Sequence, residues 1–132
     1  MALAAERIMD IASQIEDGFD LSKETLISDD FIIENDDLMW IKSEIDYMVY
    51  IPSYMLWCIR NKDKDGNLVG DNTISALAEF GRMKSSNTSF KSHCSTEQKK
   101  LICLFLSWCE INLDFCNKEQ IKRSLKQWRK SS

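Results

Sequence analysis

The run Tyr47-Met-Val-Tyr50-Ile-Pro52-Ser-Tyr54-Met-Leu56-Trp57-Cys58-Ile59-Arg60 holds the densest apolar and aromatic content of the chain and its only proline. Proline fixes its own φ, lacks an N–H and pushes the preceding residue out of the α region. Pro52 is therefore expected to end one helix and open another in its first turn. Tyr54, Met55, Trp57, Cys58 and Ile59 lie nearly all round the helix predicted over 52–61, which marks it as central rather than superficial. A chain of 132 residues has the usual size of one domain. The expectation is a single domain over 1–132, packed irregularly around a central Pro-kinked helix.

The remaining periodicities are helical too. Ala4, Ile8, Ile11, Ala12 and Ile15 recur at helical spacing and predict an amphipathic helix over 3–17, with Gly18 as its C-terminal stop. From Asp20 to Glu34 the pattern weakens into a loop with one short helix, in which Ser22 could cap a turn. Asn35 followed by Asp36 and Asp37 has the look of a helix N-terminus, with a capping side chain and two carboxylates near unpaired N–H groups, and predicts a helix over 36–42. Ser43 to Asp46 restarts that signal ahead of Ile45, Met48 and Val49. Asn61 to Asn72 reads as a polar turn, followed by a short helix through Leu77 and Phe80 to Gly81. Ser85 to Ser92 is polar, lacks a cap and is the best candidate for a mobile segment. Ser95-Thr-Glu-Gln98 is a capping box that opens a helix over 96–114, and Asn117 with Gln120 repeats the device for 118–130. The predicted class is all-α, a compact bundle of about six helices.

Four glycines, one proline and 44% apolar residues fit such a fold. No apolar run approaches the roughly 18 residues of a membrane span, and no basic-then-apolar leader opens the chain, so a cytoplasmic protein without membrane association is expected. Cys58, Cys94, Cys103, Cys109 and Cys116 are an odd set that reads as reduced and largely buried thiols. The net charge of −4 conceals an asymmetry. Residues 1–71 carry 16 acidic and 6 basic side chains, and residues 72–132 carry 5 acidic and 11 basic. Charge so separated bears on partners rather than on fold.

Sites of known chemistry are thin. Asn61-Lys-Asp63-Lys-Asp65-Gly66-Asn67-Leu68 resembles an EF-hand loop, but its twelfth position is Asn72 where a bidentate glutamate belongs, and a polar interhelical turn explains it. His93-Cys94 has no second pair at zinc spacing, and one histidine beside one cysteine makes no hydrolase. Glycine-rich phosphate loops and Gly-x-Ser-x-Gly elbows are missing. The expectation is a protein that is not an enzyme and takes no cofactor or metal.

Two landmarks, Tyr47-Met-Val-Tyr50-Ile-Pro52-Ser-Tyr54-Met-Leu56 and Ser95-Thr-Glu97-Gln98-Lys-Lys-Leu-Ile-Cys-Leu-Phe105-Leu106, resemble a family of small uncharacterised bacterial proteins. That family joins an aromatic-Leu-Pro-Ala-Tyr-Leu elbow to a Thr-Pro-Glu-Gln helix cap; Ile51, Ser53 and Thr96 depart from the pattern. Its shared residues look structural and imply no activity. In size, helicity and acidity the chain is also similar to immunity proteins of contact-dependent growth inhibition systems. Asp29, Asp30, Glu34, Asp36 and Asp37 fall within nine residues, with Phe31 among them as an apolar anchor. Such a patch is a solvated face, or it steers association with a basic protein. The functional expectation is an immunity protein that neutralises a cognate toxin, a basic nuclease, through these six residues. The alternative is a small helical regulator that lays Lys118, Lys122, Arg123, Lys126, Arg129 and Lys130 along a nucleic-acid backbone, against the acidity of the remainder.

Overall fold

A computed structural model of the chain describes residues 3–22, 26–37, 47–61, 68–81, 90–113 and 117–129. These form helices α1 (Leu3–Gly18), α2 (Asp29–Glu34), α3 (Tyr47–Arg60), α4 (Leu68–Gly81), α5 (Phe90–His93), α6 (Thr96–Asn112) and α7 (Lys118–Arg129). Among the described residues there is no strand, and α5 is a single turn, so the molecule is the expected all-α bundle.

Five helices close on one another. α1 packs on α3, α3 on α4, α4 on α7, α7 on α6, and α6 returns to α1, while α2 covers α3 and α5 lies against α4. Ile15, Tyr54, Leu77, Phe105 and Leu125 meet in the shared interior. Because α3 has neighbours inside the ring and α2 outside it, nine consecutive residues, Ile51 to Ile59, are buried.

Helix α3 also corrects the sequence reading. Pro52 lies inside one continuous helix instead of starting a second. Proline cannot donate to the carbonyl of Met48, a loss that local propensity alone would not sustain. Burial of the whole stretch outweighs it, and the Ser53 hydroxyl donates to the Val49 carbonyl at 2.8 Å across the same turn.

Other boundaries move for similar reasons. Gly18 does not stop α1. The Asp20 N–H donates to the Asp17 carbonyl and the Leu21 N–H to the Glu16 carbonyl, a Schellman closure in which Asp20 takes the left-handed conformation at φ 54°. Gly18 instead makes room for a side chain of α6, since a Cβ there would lie 2.1 Å from Leu101 Cδ1. The described part of the helix expected over 36–42 is not helical: Asn35 ends α2, and the cap in use is Ser28, whose Oγ accepts from the Phe31 N–H. Residues 38–46, and with them the signal at Ser43 to Asp46, lie outside the described residues, as do 62–67 and 82–89. Leu68 to Asn72 already belong to α4, because Val69, Thr73, Ala76, Leu77 and Phe80 form a buried stripe. Phe90 and Lys91, expected in a mobile stretch, are buried in α5.

The capping box expected at Ser95 forms in full, and at Asn117 its forward bond forms while Gln120 Oε1 accepts from Ser75 Oγ instead. The Ser95 N–H donates to Gln98 Oε1 at 2.8 Å and the Gln98 N–H to Ser95 Oγ at 3.1 Å. Gln98 Nε2 continues to the Gly18 carbonyl at 2.9 Å, so one side chain caps α6 and ties it to α1. Asn117 Oδ1 accepts from the Gln120 N–H at the start of α7.

Candidate partner-binding surface

Helix α2 is built to show its charges. Ser28 caps its N-terminus, and Asp29 and Asp30 occupy its first turn, where the helix dipole favours carboxylates. The turn angle of about 100° per residue separates the three apolar side chains that follow. Ile32 is fully buried against the bundle, Phe31 is half-buried, and Ile33 points outward with 54% of its surface exposed. Asp29, Asp30 and Glu34 are exposed around it.

The segment is tied down on both sides. Before the helix, the Ile27 N–H donates to Ser53 Oγ at 3.3 Å. At its end, Asn35 Nδ2 donates to the Phe31 carbonyl at 2.9 Å, and the Tyr54 hydroxyl donates to the Asn35 carbonyl. Asn72 Nδ2 then reaches the Asp36 carbonyl at 3.1 Å. Thus α3 and α4 fix the backbone on which the carboxylates sit.

The six residues expected to bind a partner divide into two groups. Asp29, Asp30 and Glu34 share the exposed face of α2. Asp36 and Asp37 are half-buried in non-helical backbone, not at an exposed helix start. They lie close enough to Tyr54 to raise its pKa further, although burial of the ring is the larger cause. Of the apolar side chains of α2, Ile33 is more exposed than Phe31. The usable signal was Ser28-Asp29-Asp30, which has the same capping form as Asn35-Asp36-Asp37; a helix begun at Ser28 puts Ile32 inward and Ile33 out. Glu16, part of the wider acidic region, is paired with Arg60 at 2.8 Å.

Elsewhere the chemistry is quiet. Among the described residues no three His, Cys, Asp or Glu side chains are grouped to hold a metal ion. His93 is exposed while neighbouring Cys94 is buried. Burial pushes the thiols of Cys58 and Cys94 up to about 12 and raises that of Cys103, which disfavours the nucleophilic thiolate. Among the described residues no helix is long and apolar enough to cross a membrane.

The buried cation Lys91 was missed altogether. Its Nζ donates to the Gly81 carbonyl at 3.0 Å and the Gln127 carbonyl at 2.7 Å, and sits 5.7 Å from the Trp128 ring centroid. It joins the C-terminal, negative ends of α4 and α7, and nothing in its local sequence announces that. Comparison of the chain with protein-family models, with curated proteins and with solved structures finds no match.

Proposed function

We propose that this protein is a non-enzymatic inhibitor, an immunity protein that binds and neutralises a basic toxin, with a nuclease the best-fitting class. One observation carries the reading: an exposed isoleucine, Ile33, ringed by Asp29, Asp30 and Glu34 on a helix already fixed by hydrogen bonds to the bundle. An apolar anchor inside a charged rim is the usual anatomy of a binding hot spot, and prior rigidity lowers the ordering cost of association. A nuclease must hold a phosphate backbone in a basic groove, and three carboxylates on one short helix can occupy such a groove in its place. The likeness to immunity proteins of contact-dependent systems belongs to this proposal.

The second reading rests on α7, where Lys118, Lys122, Arg123, Lys126 and Arg129 are all exposed, while Lys130 lies outside the described residues. A helix with that many cations can follow phosphates. Affinity capture and an electrophoretic shift with generic DNA and RNA separate the two. The inhibitor reading expects a basic protein retained by the wild type, inhibited by it, and lost from an Asp29→Lys, Ile33→Asp, Glu34→Lys variant. Tight nucleic-acid binding with no retained basic protein would overturn it.

A further inference from the structure

Two pockets flank α7, and their charge differs. The one between α4 and α7, of about 240 Å³, sets Glu79 beside Arg123 and Lys126, so its charges are mixed. The one between α6 and α7, of about 310 Å³, is lined among the described residues by Thr96, Lys99, Lys100, Cys103, Trp128 and Arg129, three of them cations. We propose that this second pocket binds a compact phosphate group, inorganic or carried as a phosphomonoester, independently of the acidic face of α2.

The wheel of α6 explains the arrangement. Thr96, Lys99, Lys100 and Cys103 are spaced i, i+3, i+4 and i+7, which puts them on one face, and the last turn of α7 brings Arg129 to it. Lys91 adds a fourth positive charge behind the wall, against the Trp128 ring. Both Arg129 and Lys91 act on the Cys103 thiol, which places them within electrostatic reach of the pocket's apolar floor. Glu97 lies 3.6 Å from Lys100, but both side chains of that pair are largely exposed and the pairing is weak. Cations gathered around a concavity attract an anion, and the field is focused by the low-dielectric wall of Cys103 and Trp128. A phosphate group, with close to two negative charges and several acceptor oxygens at neutral pH, suits a guanidinium fork flanked by two ammonium groups better than a single carboxylate does. The volume lies at the lower end for ligand pockets, which admits a mononucleotide-sized molecule at most.

The test is an amide-resolved NMR titration at low salt with inorganic phosphate and, separately, with adenosine monophosphate. The expected result is saturable shifts confined to Thr96–Cys103 and the end of α7, with millimolar or tighter affinity. Arg129→Ala and Lys100→Ala should each weaken binding about tenfold, as expected for loss of one charge-assisted hydrogen bond, and Lys122→Ala should leave it unchanged. Alkylation of half-buried Cys103 should slow when the pocket is filled, a readout that a diffuse surface effect would not move. Tighter binding of the nucleotide than of phosphate identifies a phosphomonoester as the ligand; equal binding identifies phosphate itself. The proposal is overturned if neither probe saturates, if Lys122→Ala weakens binding as much as Arg129→Ala, or if a short RNA binds far more tightly with shifts along the whole of α7.

Discussion

Gly81 is the position where one added methyl group tests the packing of the bundle most sharply. A Cβ there would lie 2.9 Å from Trp128 Nε1, 3.1 Å from its Cδ1 and 3.3 Å from Gln127 Cβ. Trp128 has little room to yield. Its Nε1 donates to the Leu77 carbonyl at 2.9 Å, its ring meets Phe90 edge-on at 5.9 Å, and Lys91 lies over it. Overpacking of this kind costs about 1 to 3 kcal/mol, and straining the buried indole hydrogen bond adds about 1 kcal/mol. Against this, alanine is favoured over glycine within a helix by up to about 1 kcal/mol. The net expectation for Gly81→Ala is a loss of about 2 kcal/mol, or roughly 8 °C in Tm for a chain of this length. Urea denaturation of the wild type, Gly81→Ala, Trp128→Phe and the double variant checks it. The smaller ring should relieve the clash, so the glycine substitution should cost about 1 kcal/mol less in the Trp128→Phe background. A Gly81→Ala protein more stable than the wild type would refute the reasoning, since propensity alone would then have won. Gly18→Ala is the internal contrast: the atom in its way is the terminal Cδ1 of half-buried Leu101, which can rotate aside, so the cost should be smaller.

Three further outcomes follow from the packing and the titrating groups. Trp57, 5% exposed in the last turn of α3, should cost about 3 to 5 kcal/mol when changed to alanine, and a loss below about 1 kcal/mol by denaturant midpoint would place α3 on the surface. Lys91→Met keeps the stem but leaves the Gly81 and Gln127 carbonyls without their buried donor, so a loss of about 2 to 3 kcal/mol is expected in the same assay. Cys58 is held at about 12 in the folded protein against an ordinary 9.0. The folded chain therefore keeps a proton that the unfolded chain releases, and stability falls as pH rises above 9. By about pH 10 this amounts to roughly 1 kcal/mol, and Cys58→Ala should flatten the slope between about pH 8 and 10.

What the sequence revealed was mostly local. The capping box at Ser95 and Gln98 and the cap at Asn117 are formed by neighbours three residues apart, so the residues themselves encode them. The apolar stripes of α6 and α7 were legible for the same reason. Pro52, Gly18 and Leu68 to Asn72 misled because burial by distant elements decides their state: Pro52 stays helical under α2 and α4, and Gly18 serves the approach of Leu101 instead of a chain reversal. At the candidate surface, the acidic composition of α2 was plain, but Ser28 and Asn35 carry the same cap signature and only the inward fit of Ile32 selects between them. That choice turns Ile33 outward and draws Asp36 and Asp37 toward Tyr54. Lys91 was hidden because its carbonyl partners come from the far ends of two other helices.

The most direct test of the proposed inhibitor is the rate of association with its captured basic partner as a function of ionic strength, for the wild type and for an Asp29→Lys, Asp30→Lys, Glu34→Lys variant. None of these three side chains is buried, and reversal removes at most about 1 kcal/mol of dipole stabilisation at each aspartate, so the variant should fold. If α2 makes the contact, the wild-type rate should fall about tenfold or more between low and high salt, because exposed charges are screened over about 8 Å at physiological ionic strength, and the variant should associate slowly with little salt dependence. Equal rates, equal affinities and equal salt dependence for the two proteins would contradict the account and leave the acidic face of α2 merely solvated.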